Sequence, residues 1–274
     1  MPASQRAVVL FVLAGLVLLA ACAGCRMSAL DRLIFFPERF MPAPPPGVAE
    51  QRFAAADGTR LHAWLAPPPD AFAPVLLWSH GNGGNVGGRE DVLLALAARG
   101  LGVLAYDYRG YGHSEGQPDE AGVYRDADAA WQHLVAGGIA PQRIVCFGES
   151  LGGAVSIELA TRRACAAVIV VSTFTSLRDV AREHYGALAA LAGNQFDSAA
   201  RVARLDVPIL IAHGDRDEIV PFALGEALYA RAGAPKRFLR VPGRQHNDVF
   251  DSPPLLDAIA AFAREAVTDA HASR

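Results

Sequence analysis

The residues most able to do chemistry are at 148–152, where glycines stand two places before and two places after Ser150. An apolar run precedes this Gly-x-Ser-x-Gly pattern and a helical stretch follows it, which is typical of a sharp strand-to-helix turn that exposes the serine hydroxyl. Glycines are needed because the chain passes too close to itself there for side chains. Such a serine can attack a carbonyl carbon, and the N-terminus of the next helix can stabilise the oxyanion that forms. The alternative is an incidental serine in a tight turn.

A serine hydroxyl is a weak nucleophile until a base takes its proton, so the pattern predicts an acid and then a histidine further along the chain. His246 is the only histidine in the loop 242–248, which follows the last apolar run, and we predict that it is the base. Asp217 follows the apolar run 207–212, and we predict that it orients the histidine. Asp215 competes for that role, but the spacing favours Asp217 and indicates that Asp215 forms a turn.

The loop after the first buried run, residues 80–85, is rich in glycine and asparagine. Small residues allow backbone N–H groups to point inward, as binding of an oxyanion requires. We predict that the N–H groups of Asn82 and Leu151 form this oxyanion hole. A glycine-rich loop between a strand and a helix could instead hold phosphate. However, the chain has no Gly-x-x-x-x-Gly-Lys-Ser/Thr pattern, and Val86 stands where a dinucleotide-binding loop needs its third glycine.

The elements that must position these residues alternate between short apolar runs and helical stretches. Several runs are continuously hydrophobic, which is typical of strands buried on both faces of a parallel sheet. The alternation predicts a doubly wound, mostly parallel α/β sheet, in which ligands bind beyond the C-terminal ends of the strands. The predicted strands are 74–79, 102–107, 143–147, 167–172, 207–213 and 237–241. The predicted helices are 88–99, 120–136, 151–163, 176–190, 221–232 and 253–267.

Composition limits the function classes. The 274 residues are 52% hydrophobic and 19% charged, which is ample for one sizeable domain with a buried core. The net charge is −3 and no basic run occurs, so nucleic acid is not expected as a partner. No cluster of histidine and cysteine has the spacing of metal ligands, so the sequence predicts neither a metal nor an organic cofactor.

The N-terminal segment 1–22 differs from the rest of the chain. Arg6 precedes the uncharged apolar stretch 7–21, which is short for a membrane span of roughly 20 residues but fits the core of a signal peptide. It ends in Leu-Ala-Ala-Cys at 19–22, which resembles the bacterial lipobox, where cleavage precedes a cysteine that is then lipidated. We therefore predict lipidation of Cys22, with an uncleaved N-terminal anchor as the alternative. Either would place the protein at a membrane, on its periplasmic or extracellular face.

Two further boundaries follow from composition. Residues 23–49 are predicted to be a tether, and four prolines within 41–47 make part of it a stiff spacer. Residues 50–274 are predicted to form the catalytic domain. Within this domain, residues 173–206 separate the strand after the nucleophile helix from the strand that bears the acid. This length is enough for about two helices.

These motifs resemble those of the α/β-hydrolase superfamily. They are most similar to the branch of small serine hydrolases that includes membrane-anchored acyl-protein thioesterases and dipeptidyl-aminopeptidase-like hydrolases. The matching segments extend over roughly residues 50–265 and are His80-Gly81-Asn82-Gly83, Asp107 to Ser114, Gly148 to Gly153, His213-Gly214-x-x-Asp217-x-x-Val220-Pro221 and Gly243-x-x-His246. The resemblance implies the α/β-hydrolase fold and a triad of Ser150, Asp217 and His246. It implies a structural role for Asp107 to Ser114. Many relatives carry a large lid at the position of residues 173–206, so the resemblance implies a small lid and an open pocket here.

Together these observations lead us to expect a serine hydrolase that cleaves carboxylic esters or thioesters through an acyl-enzyme intermediate. Its partner would be a small-molecule or acyl-ester substrate. Two alternatives stay open at this stage. A serine aminopeptidase or amidase would use the same triad, and a non-catalytic, membrane-tethered binding module would keep the fold without the reaction.

Overall fold

The computed structural model describes residues 31–191, 193–233 and 235–272. The predicted signal segment and Cys22 lie outside the described residues. Within the described ranges, no helix combines the length and the apolar character that crossing a membrane would need.

The described residues form one large sheet whose order is β8-β7-β6-β5-β3-β4-β2-β1. All neighbouring strands pair in parallel except β2, which runs antiparallel to both β4 and β1. This confirms the predicted doubly wound, mostly parallel sheet. The strands are β1 Ala49–Ala54, β2 Arg60–Ala66, β3 Val75–Ser79, β4 Gly102–Asp107, β5 Ile144–Glu149, β6 Ala167–Val171, β7 Ile209–Gly214 and β8 Lys236–Val241.

Helices cover both faces of this sheet and create two hydrophobic cores. The helices are α1 Glu90–Ala97, α2 Glu120–Ala136, α3 Leu151–Ala160, α4 Leu177–Tyr185, α5 Ser198–Val202, α6 Phe222–Arg231 and α7 Pro253–Ala272. One core lies under α2, α3, α5 and α6, and the other lies under α1 and α7. Strands β3, β4 and β6 are buried along their whole length, which explains their continuous hydrophobic runs.

The hairpin β1–β2 was not predicted. Strand β1 is at the edge of the sheet and includes the polar residues Glu50, Gln51 and Arg52, so it lacks the continuous apolar run that marks the central strands. A local signal was nevertheless present, because Asp57-Gly58 is a turn dipeptide between the two strands. Gly58 adopts a φ of +85°, and Ala55 N–H donates to Thr59 O at 2.9 Å to close the turn.

Part of the segment predicted as a tether lies against the domain. Phe35 and Met41 are buried, and Phe36–Pro37 pairs in parallel with Gly83–Gly84. The Asn85 side chain donates to backbone carbonyls of this segment, at 3.0 Å and 2.7 Å. Residues 35–41 therefore form a strap over the glycine-rich loop 80–85.

The region predicted as a small lid, residues 173–206, contains α4, a 3-10 turn at Gly186–Leu191 and α5. Its first residues are tied to the domain, because Thr173 and Phe174 are buried. No side chain of α4 is fully buried, so that helix lies on the surface.

Candidate active site

The turn between β5 and α3 holds Ser150 in an unusual backbone conformation. Its φ is +52° and its ψ is −119°, a region that residues with a side chain rarely adopt. The flanking glycines explain how the turn closes. A Cβ on Gly148 would overlap the backbone of Gly152, and a Cβ on Gly152 would overlap the carbonyl of Ser79 at the end of β3. Both glycines are therefore required by close backbone approach.

Hydrogen bonds from the neighbouring strand hold this strained residue. Ser150 N–H donates to Val171 O at 2.9 Å, and the Thr173 hydroxyl donates to Ser150 O at 2.8 Å. Thr173 is fully buried, so this bond is shielded from water. These two bonds fix the N–H and the carbonyl of Ser150, and its side chain is thereby directed toward the C-terminal ends of the strands.

His246 lies in the loop after β8 and connects Ser150 with Asp217. Its Nε2 is 3.0 Å from Ser150 Oγ, and its Nδ1 is 2.7 Å from Asp217 Oδ2. Because an ionised carboxylate only accepts hydrogen bonds, we assign the ring proton to Nδ1. Nε2 is then free to accept the serine proton.

The Asp217 carboxylate is fixed on both oxygens. Oδ1 accepts from the N–H groups of Ile219 and Val220, at 3.0 Å and 2.8 Å. Burial alone would raise the pKa of Asp217, but hydrogen bonds from His213 and His246 outweigh it and hold the pKa below its ordinary value. The carboxylate therefore stays ionised at neutral pH and can orient the imidazole.

Asp215, the competing acid, points elsewhere. Its carboxylate accepts from Arg240 Nε at 2.9 Å and from Gly243 N–H at 2.7 Å. These contacts join the ends of β7 and β8. The structure thus brings Asp217 to His246 and leaves Asp215 in a turn.

The two amides named for an oxyanion hole are both free. Among the described residues, neither Asn82 N–H nor Leu151 N–H donates a hydrogen bond. The loop that carries Asn82 packs on the serine turn, since a Cβ on Gly81 would come within 2.7 Å of Glu149 Oε1. Tyr111 Oη donates to Asn82 O at 2.8 Å and holds the adjoining Asn82–Gly83 peptide in place.

Other supporting residues were missed at the level of sequence. Arg89, at the start of the helical stretch, donates to Gly83 O at 2.6 Å and lies 3.4 Å from Glu149 Oε1. Burial raises the pKa of Glu149, but the charge and hydrogen bond of Arg89, together with the nearby histidines His80 and His246, outweigh burial and lower the pKa overall. Arg89 therefore ties the glycine-rich loop to the serine turn. No motif marks it, because its partners are a backbone carbonyl and a residue 60 positions away.

Two histidines at strand ends hold turns, as expected from their places before glycines. His80 Nδ1 is 2.6 Å from Gly81 O, and burial lowers the pKa of His80 to about 4. His213 Nε2 is 2.8 Å from Val220 O and 3.4 Å from Asp217 Oδ2. His213 therefore supports the carboxylate that His246 contacts.

Comparisons with known proteins agree with this architecture. A family model described as serine aminopeptidase, S33, matches residues 71–200. Rv2307c, an uncharacterised protein of Mycobacterium tuberculosis, is 40% identical over 252 residues, which cover 87% of this chain and 88% of that protein. The mouse α/β hydrolase domain-containing protein 17C is 37% identical over 193 residues, covering 68% of this chain and 58% of that protein. The esterase domain of a Rhodothermus marinus protein superposes with a TM-score of 0.64 at 22% identity, covering 80% of this chain and 99% of that domain.

Proposed function

Since the chain belongs to the α/β-hydrolase superfamily, we propose that it is a serine hydrolase that cleaves carboxylic esters or thioesters through an acyl-enzyme intermediate. The observation that carries this proposal is the hydrogen-bonded relay from Asp217 through His246 to Ser150, with distances of 2.7 Å and 3.0 Å. A relay of this kind activates a serine that is otherwise a weak nucleophile.

In the proposed reaction, Ser150 Oγ attacks the acyl carbonyl carbon while its proton passes to His246 Nε2. Asp217 keeps the imidazole in the required tautomer and stabilises the imidazolium. His246 then gives the proton to the departing alcohol or thiol. A water molecule attacks the acyl-enzyme in the second half, with His246 again taking a proton and returning it to Ser150.

Charge develops on the carbonyl oxygen during both attacks. We assign its stabilisation to the free N–H groups of Asn82 and Leu151. Leu151 is the first residue of α3, so its N–H also lies at the positive end of the helix dipole. Donors fixed before the reaction are worth more than donors that must reorient, and removing one typically costs about 10²-fold or more in rate.

An aminopeptidase or amidase with the same triad is the second candidate, because the matching family model bears that description. A peptidase that recognises a free amino terminus needs a carboxylate to hold the substrate amine. Glu149, the acid beside the nucleophile, lies against Arg89 instead. This pairing favours an ester or thioester over a peptide with a free amino terminus.

The experiment compares hydrolysis of p-nitrophenyl esters from acetate to palmitate with that of aminoacyl p-nitroanilides, using the purified full-length protein. Ser150→Ala is expected to lower ester turnover by about a thousandfold or more. Ser156→Ala is the matched control, since Ser156 is on the same helix with its hydroxyl buried and without a partner. Faster cleavage of the anilides would favour the peptidase. Equal, near-background rates in parent and Ser150→Ala would favour a binding module.

We further propose that the protein is tethered to a membrane on its periplasmic or extracellular face through a lipid on Cys22. The support is the signal-like stretch before that residue and the proline-rich spacer after it. The test is Cys22→Ser, which should change the mass of the mature protein and release it from the membrane fraction. Unchanged mass and unchanged membrane association would contradict lipidation.

A further inference from the structure

A second histidine–carboxylate arrangement lies at the antiparallel edge of the sheet. His62 on β2 is almost fully buried, and its Nδ1 is 3.0 Å from Asp107 Oδ2. On the opposite side of the ring, Nε2 is 3.3 Å from Glu50 Oε1 on β1. The strand register explains why these three side chains lie together. Strand β2 pairs with both β1 and β4, and Asp107 is directly opposite His62 in the sheet.

The hydrogen bonds of Asp107 fix the orientation of the His62 ring. Asp107 Oδ1 accepts from Val86 N–H at 2.9 Å and Oδ2 faces His62 Nδ1 at 3.0 Å, so we assign the ring proton to Nδ1. His62 Nε2 then directs its lone pair toward Glu50 Oε1, which is 3.3 Å away. Two ligand atoms that converge in this way are suited to bind one metal ion.

A third potential ligand, and the second nitrogen, is present at the same place. His113, in the turn after β4, has its ring centroid 5.0 Å from that of His62. One potential ligand atom from each of Glu50, His62 and His113 lies within 4.8 Å of the other two. Glu50 and His113 are exposed, so an ion could reach the group from solvent.

We propose that Glu50, His62 and His113 form a binding site for Zn²⁺ or a similar divalent transition-metal ion. Two imidazoles and a carboxylate are ligands that zinc accepts, with bond lengths of about 2.0–2.2 Å. Two such ligands on a tetrahedral ion lie roughly 3.3–3.5 Å apart, which agrees with the 3.3 Å between His62 Nε2 and Glu50 Oε1.

The surroundings of His62 support this assignment. Histidines that bind metal usually donate their other ring N–H to a carboxylate, which fixes the tautomer and orients the ring. Asp107 supplies this contact, and both side chains are buried. Arg52 Nη2 donates to Glu50 Oε1 at 2.6 Å, and the second lone pair of this oxygen is left for the ion.

The site would join β1, β2 and the turn after β4, which are distant along the chain. An ion bound there would favour the folded state, since the unfolded chain does not bring the three ligands together. The strap at 35–41 also contacts this turn, because Arg39 Nη1 donates to Ser114 O at 2.6 Å. Zinc would therefore stabilise the edge of the domain on which the strap lies.

The test uses the full chain without a polyhistidine tag, dialysed first against EDTA and then titrated with Zn²⁺ by calorimetry. We expect one ion per chain, and a Tm that rises by about 5 °C or more at a hundredfold excess of Zn²⁺ over Kd. Glu50→Gln and His113→Gln, both at exposed positions, should each weaken Zn²⁺ binding by about 10-fold or more. His62 is not replaced, because a buried substitution could impair folding.

Matched controls come from the same edge of the domain. Glu115→Gln removes a nearby carboxylate that hydrogen bonds to Arg60, and His133→Gln removes a histidine near Gln51 of β1. Both should bind Zn²⁺ like the parent. Absence of stoichiometric binding would overturn the proposal. Equal affinities in ligand and control variants would also overturn it, since the ion would then be held elsewhere.

Discussion

The two edges of the sheet carry the same acid–imidazole unit with different partners. At one edge, Asp217 holds His246 at Nδ1, and Nε2 faces the Ser150 hydroxyl. At the other, Asp107 holds His62 at Nδ1, and Nε2 faces the Glu50 carboxylate. In both pairs the carboxylate fixes the ring and directs the lone pair outward.

The difference shows that the group opposite Nε2 decides the chemistry. A hydroxyl can give up a proton to the ring, so His246 is suited to act as a base. A carboxylate has no proton to give, so His62 is suited to share a cation with it. The carboxylate–histidine pair therefore does not identify a catalytic site until its third member is known.

The largest expected effect tests the first pair. Asp217→Asn should lower kcat/KM for ester hydrolysis by roughly 10³- to 10⁴-fold, because the amide NH₂ would donate to Nδ1 and force the proton onto Nε2. The measurement is steady-state turnover with the Tm recorded in parallel. A loss below tenfold with an unchanged Tm would mean that Asp217 does not set the tautomer.

His80 extends the comparison to a histidine without a hydrogen-bonded carboxylate. Its folded pKa, about 4, is below the ordinary 6.5, so the unfolded chain binds a proton at a higher pH than the folded chain does. Stability should therefore fall as pH drops from 6.5 to 4, by as much as about 3 kcal/mol from this residue. The lowered pKa of Asp217 changes the stability only at pH values below the ordinary pKa of 3.8, which is outside this pH window.

The check is urea denaturation of the parent and His80→Gln at several pH values between 7 and 4.5. The variant should lose stability less steeply with acid, whatever its absolute stability. Parallel slopes in the two proteins would show that His80 is not the group that takes up the proton.

A smaller effect is expected for the second pair. Asp107→Asn should lower the free energy of unfolding by about 1–3 kcal/mol, because the amide has only one acceptor oxygen for the two buried donors, Val86 N–H and His62 Nδ1–H. Zn²⁺ affinity should fall by about 10- to 100-fold. The loss of kcat/KM should stay far below that of Asp217→Asn, since Asp107 contacts neither Ser150 nor His246. Equal losses of kcat/KM in Asp107→Asn and Asp217→Asn would contradict the different roles of the two pairs.

The smallest effect is expected for Asp215→Asn. Asp215 is a half-buried turn residue that bridges the ends of β7 and β8 and contacts neither Ser150 nor His246, so ester turnover should stay within about threefold of the parent. If this variant loses more activity than Asp217→Asn while remaining folded, the acid is misassigned.

Much of the site formed by Ser150, Asp217 and His246 was predictable, because the sequence patterns that mark it are local. The glycines at 148 and 152 follow from the close backbone approach at one turn, and Asp217 and His246 each follow a strand that its apolar run reveals. Such features depend on a few neighbouring residues. The central strands were predictable for the same reason, since burial on both faces leaves a continuous hydrophobic run.

The rest depends on contacts between distant segments. Arg89 acts on a backbone carbonyl and on Glu149, and neither partner leaves a pattern near residue 89. The group of Glu50, His62 and His113 has no spacing that marks metal ligands, because its members meet only through the unpredicted hairpin β1–β2 and its pairing with β4. Side chains that converge through strand pairing require the fold before they can be recognised.

The central claim is that His246 and Asp217 activate Ser150. Its most direct test is covalent labelling by a fluorophosphonate, followed by intact mass and peptide mapping in the parent, Ser150→Ala and His246→Ala. We expect a single adduct on Ser150 in the parent, no adduct in Ser150→Ala, and labelling slowed by about a hundredfold or more in His246→Ala. Labelling of another residue, or an equal rate in His246→Ala, would contradict the account.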